Sequence, residues 1–131
     1  MKKRAVILGI LLAVVTATPI LSPHNPKPIP TPKHATMEQK KANKMLAIKL
    51  ARYGWGWKGK EWVCADTLFT KESRYDNLAD NKKSSAFGIG QMLNETSKDP
   101  EIQLLRTFRY IQKRYSTPCR ALRHHHRLGW Y

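Results

Sequence analysis

The chain has 131 residues, with 24 lysines and arginines against 9 acidic residues and a formal net charge of +15. That length excludes more than one compact domain. The charge calls for an anionic partner or surface, but the basic residues are scattered rather than blocked, so charge alone names none.

The first segment, "MKKRAVILGILLAVVTATPIL", has a basic start (Lys2, Lys3, Arg4), an apolar run and the small residues Val15-Thr16-Ala17. This is the layout of a secretory signal over residues 1–17. An uncleaved membrane anchor is the alternative, although Thr16, Thr18 and Pro19 interrupt the roughly 20 apolar residues that a spanning helix needs. Residues 18–34 carry Pro19, Pro23, Pro26, Pro28, Pro30 and Pro32, which forbid helix and favour an extended spacer or tether. The folded unit is therefore expected over 35–131, outside the cytoplasm, in the secreted or cell-envelope compartment. There Cys64 and Cys119 meet oxidising conditions, and a disulfide is expected between them. Closing a loop of about 55 residues stabilises by roughly 4 kcal/mol in the chain-entropy model.

Thr36 and Gln39 form a capping-box signature, and Ala42, Leu46, Leu50 and Tyr53 recur at helical spacing, so residues 37–53 are expected to be a helix burying that face. Gly54 to Lys60 reads as a turn whose Trp55 and Trp57 pack against the core. A second helix over 61–73 places Trp62, Ala65, Leu68, Phe69 and Glu72 on one face. A carboxylate there must be paired, protonated or functional. Lys71, Arg74 or a distant arginine are the partners a plain salt bridge would use. Residues 74–98 are rich in Asn, Asp, Ser and Gly and read as a long polar loop. Asp99-Pro100 then caps a third helix with Leu104, Phe108, Ile111 and Tyr115 inward, and a last helical segment starts at Cys119. No alternating strand pattern is visible, and the expected fold class is all-α or α-dominated. His124-His125-His126 offers no metal site, because successive helical residues point about 100° apart.

"LFTKES" (68–73), followed across a polar loop by "SAFGIGQ" (85–91), resembles the lysozyme-like domain of soluble lytic transglycosylases and goose-type lysozymes. Tyr110-Ile111, Arg114-Tyr115, Pro118-Cys119, Ala121 and Gly129-Trp130-Tyr131 extend the likeness to short secreted forms, bacterial or phage-borne. It covers about residues 45–131. The resemblance implies a peptidoglycan-cleaving enzyme acting on the MurNAc–GlcNAc β-1,4 bond, with Glu72 as general acid/base and no metal or cofactor. It implies a cleft lined by Ser73, Ser85, Gly88 and Gln91, in which Ser73 supports the structure and Gly88 and Gly90 let backbone approach the glycan. Where the family carries a late Ala-Tyr-Asn, this chain has "ALRHHHRLGWY", which leaves His125, His126 or Tyr131 to face Glu72.

Most glycosidases use two carboxylates, and no spacing singles out Asp76 or Asp80 as the second. Lytic transglycosylases use one acid and the substrate's own C6 hydroxyl, forming 1,6-anhydromuramic acid. An apolar helix face supplies the raised pKa such an acid needs. Expected partners are glycan strands and anionic wall polymers, with the chain a monomer that touches membrane only through an uncleaved N-terminal segment. Hydrolytic muramidase and a non-enzymatic cationic wall- or membrane-binding module are the alternatives. Nucleic acid fits the charge but not the export signal.

Overall fold

The computed structural model describes residues 27–131; the signal or anchor and the spacer up to residue 26 lie outside the described residues. A compact unit spans Thr31–Tyr131. It is α-dominated, with α1 (Met37–Gly54), α2 (Lys60–Glu72), α3 (Pro100–Tyr115) and α4 (Pro118–Leu128). None of the described helices is long and apolar enough to cross a membrane.

Three of the four helices begin at a side-chain cap. Thr36 Oγ1 accepts from Gln39 N at 3.2 Å while Gln39 Oε1 accepts from Thr36 N at 2.8 Å, the reciprocal capping box. Asp99 accepts from Glu101 N ahead of Pro100, and Thr117 accepts from Arg120 N ahead of Pro118. Gly129 ends α4 in the left-handed region at φ 76°, a conformation that glycine adopts without Cβ strain.

Phe69, Phe108, Leu68, Ile89, Leu104 and Ile111 are fully buried at the centre. Trp55 and Trp57 meet Phe108 edge-on, with centroids 5.1 and 5.5 Å away, so these aromatics pack as expected. The α3 face is also as expected, with Leu104, Phe108, Ile111 and Tyr115 all buried.

The α1 face is not. Its buried residues are Asn43, Ala47 and Ala51, whereas Ala42 is exposed and Tyr53 is 81% exposed. Leu46 and Leu50 pack at the core's edge. The helix turns its small residues inward because alanines permit close approach. Asn43 also has work to do there, donating to the Tyr75 carbonyl at 2.9 Å and to Asn77 Oδ1 at 3.0 Å.

The expected strandless loop contains a short antiparallel pair, β1 (Ala86–Phe87) and β2 (Met92–Leu93), with Ala86 opposite Leu93 and Phe87 opposite Met92. Two residues per strand are too few to show an alternating pattern. Buried Gln103 on α3 stitches this region down: its Oε1 accepts from Ile89 N at 2.9 Å, and its Nε2 donates to the carbonyls of Asn77 and Ser97 at 2.9 and 2.6 Å.

Helices α2 and α4 run side by side and parallel. Near their starts Cys64 and Cys119 form the expected disulfide, with Cα atoms 4.9 Å apart, and Glu61 Oε2 accepts from Cys119 N at 2.9 Å. Two turns further along, Glu72 of α2 meets His125 of α4. Nearly equal steps along both helices, at about 1.5 Å per residue, produce that second meeting.

Candidate active site

Glu72 is the last residue of α2, and its neighbours reverse the chain at once. Ser73 caps the helix with its N–H on the Phe69 carbonyl, and Arg74 and Tyr75 then take φ of 53° and 62°. Ser73 Oγ donates to the Ile89 carbonyl at 2.7 Å. It thereby fastens the glycine-bearing segment to the end of α2, which is a supporting role.

The Glu72 side chain is only 16% exposed and places Oε1 2.9 Å from His125 Nε2, itself 16% exposed. Neither Lys71, Arg74 nor any other arginine forms a salt bridge with it among the described residues. Burial pushes the Glu72 carboxyl from 4.5 to about 7. The last-turn carbonyls, which carry partial negative charge, act in the same direction. Burial lowers the imidazole of His125, as do the charges of Lys71, His126 and His124. Because the acid rises and the base falls, burial favours a carboxylic acid beside a neutral imidazole over an ion pair.

The histidine run fans out as helical geometry requires. His124 Nδ1 lies 2.9 Å from the Trp130 carbonyl, His125 faces Glu72, and His126 opens onto a different cavity. Of the three groups the sequence left open, His125 takes the contact with Glu72. Tyr131 also reaches the site, lining the same cavity. Its OH donates to the Gly90 carbonyl at 2.6 Å, and burial followed by the charge of Glu72 raises its pKa well above the usual value.

Glu72 opens into a cavity of about 300 Å³ whose other walls include Asn81, Ser84, Gln91, Trp130 and Tyr131. A neighbouring cavity of about 330 Å³ shares Gln91, Leu93, Trp130 and Tyr131 and continues to Tyr110 and Arg114. The two cavities adjoin across these shared walls. Gln91 occupies a non-glycine left-handed position (φ 48°). Its Nε2 holds it there by donating to the carbonyls of Ala79 and Gly88 at 3.0 and 2.9 Å.

Three sequence readings gain detail at the site. Ser84, not Ser85, lines the cavity; Ser85 instead closes the hairpin, accepting the Asn94 N–H at its carbonyl (3.1 Å) and its Oγ (3.3 Å). Both glycines are required by α3, and Gly90 also lines the cavity of about 330 Å³. A Cβ on Gly88 would lie 2.4 Å from the Gln103 side chain, and one on Gly90 would lie 2.3 Å from Thr107 Oγ1. Finally, Asp76 does not line the Glu72 cavity. It is buried and held by Ala35 N and Leu78 N at 2.9 Å each, by His34 at 2.9 Å and by Lys40 at 3.5 Å. Those contacts keep its pKa low despite burial and attach residues 34–35 to the fold.

Asp80 is exposed and does not line the Glu72 cavity. Asn81, Ser84 and Trp130 are the wall residues that sequence reasoning missed. The hairpin around Gly88-Ile89-Gly90-Gln91 was the signal that could have located the first two. Comparisons with family models, with curated proteins and with solved structures gave no match.

Proposed function

We propose that the chain is a peptidoglycan lytic transglycosylase of the cell envelope, with Glu72 as its single acid/base. One observation carries the reading: a half-buried glutamic acid with a pKa near 7 opens into a polar and aromatic groove, and no second carboxylate shares its cavity among the described residues. An acid poised at the working pH is what proton transfer to a glycosidic oxygen requires.

The neutral pair suggests how the proton is presented. His125, as its Nε2–H tautomer, donates to Glu72 Oε1 and leaves the acidic proton on Oε2, the oxygen free to face the groove. Oε2–H protonates the bridging oxygen as the C1–O bond of the muramic residue breaks. The resulting carboxylate, still hydrogen-bonded by His125, then accepts the proton of the C6 hydroxyl as that oxygen closes onto C1. The proton count balances, the product carries a 1,6-anhydro ring, and no water is consumed. A hydrolase would need a base to activate water, and Asp76 is already committed to its structural contacts.

Mass spectrometry of muropeptides released from purified sacculi tests the proposal, with Glu72→Gln alongside. Anhydromuramic ends that vanish in the variant are the expected result. Reducing ends would mean a hydrolytic muramidase. Intact sacculi, with wall binding unchanged in Glu72→Gln, would leave the non-enzymatic cationic module as the correct reading.

A further inference from the structure

A larger cavity, of about 520 Å³, lies on the outer side of the α2–α4 pair, over the Cys64–Cys119 disulfide. Lys60 from α2 and Arg120, Arg123 and His126 from α4 stand around it. The α4 residues recur every third position, so they form a row that advances about 4.5 Å at each step along the helix. Helix α4 contains no acidic residue.

The one acid at the cavity is Glu61, and its carboxylate is occupied in accepting the Cys119 N–H at 2.9 Å at the start of α4. None of Lys60, Arg120 and Arg123 forms a salt bridge among the described residues. The floor is apolar, made by the disulfide and the half-buried Leu122. The uncompensated cations of Lys60, Arg120 and Arg123 beside an apolar wall suit a chain in which anionic groups alternate with short carbon segments.

The lining also says what that chain is not. Single-stranded nucleic acid is gripped by a basic groove together with aromatic platforms for its bases, and this cavity has no Trp, Tyr or Phe in its wall. We propose that the cavity over the Cys64–Cys119 disulfide binds the phosphates of a polyol-phosphate polymer, through Lys60, Arg120, Arg123 and His126. The assignment does not depend on glycan cleavage.

The test measures binding of the full chain to poly(glycerol phosphate) as a function of salt. It compares Arg120→Ala/Arg123→Ala with Lys49→Ala/Lys113→Ala, which removes the same charge from exposed positions on α1 and α3. The cavity pair should bind roughly tenfold or more weakly, and its slope of log affinity against log salt should fall by about two. The control pair should change affinity less than about twofold, since neither lysine lines the cavity. Arg120→Lys/Arg123→Lys keeps the charges and should retain most of the binding, which separates loss of contact from loss of fold. Equal weakening in the two alanine pairs would overturn the site, since only net charge would then matter. Oligothymidine bound more tightly than the polyol phosphate, and released by the same Arg→Ala pair, would overturn the ligand class in favour of nucleic acid.

Discussion

Replacing Glu72 by Gln should stabilise the protein at alkaline pH and leave its stability unchanged in acid. The folded-state pKa is raised from 4.5 to about 7, so the native state binds a proton that the unfolded state has released between those values. Stability is therefore intact below about pH 4.5 and declines as pH rises through about 7, where the native state must hold a poorly solvated charge. The raised pKa sets an upper bound of about 3 kcal/mol on that decline. Residual solvent contact screens part of it, leaving about 1–2 kcal/mol. Glutamine keeps the shape and carries no charge, so urea denaturation with the disulfide intact should give equal midpoints for both proteins at pH 4. At pH 8 the variant should be the more stable by about 1–2 kcal/mol. A variant less stable than the parent between pH 6 and 8 would refute the reasoning, because it would mean that Glu72 and His125 form a stabilising ion pair.

Three other predictions follow from the same contacts. If Glu72 must be protonated to act, sacculus cleavage should fall about tenfold per pH unit above about 7, and a rate flat to pH 9 would assign the acid elsewhere. Replacing Cys64 and Cys119 by serine should cost about 4 kcal/mol for a sequence separation of 55. It should also slow cleavage at temperatures where the chain remains folded, because the bridge sets the register that brings His125 to Glu72; an unchanged rate there would show that the remaining α2–α4 packing sets it alone. Gly90→Ala drives a methyl to within 2.3 Å of Thr107 Oγ1, an overpacking worth about 1–3 kcal/mol. Thermal melts should show Thr107→Ala recovering part of that loss in the double variant.

Much of this protein is local and therefore legible in the sequence. Thr36/Gln39 and Asp99-Pro100 mark helix starts by the chemistry of capping, and the spacing of Ala65, Leu68, Phe69 and Glu72 puts an acid on a buried face. Two cysteines in a chain with an export-type leader predict the bridge that the fold contains. The inner face of α1 was beyond such reasoning. It turns on whether Asn43 finds the Tyr75 carbonyl and Asn77, partners more than thirty residues away. Gly88 and Gly90 looked like openings for a ligand, and the space they leave is filled by Gln103 and Thr107. His125, His126 and Tyr131 were all open candidates until the packing of α2 on α4 turned His125 onto Glu72. Periodicity and capping are settled within a few residues by backbone geometry, whereas which side chains meet across helices depends on register, and only the packed core and the disulfide set that.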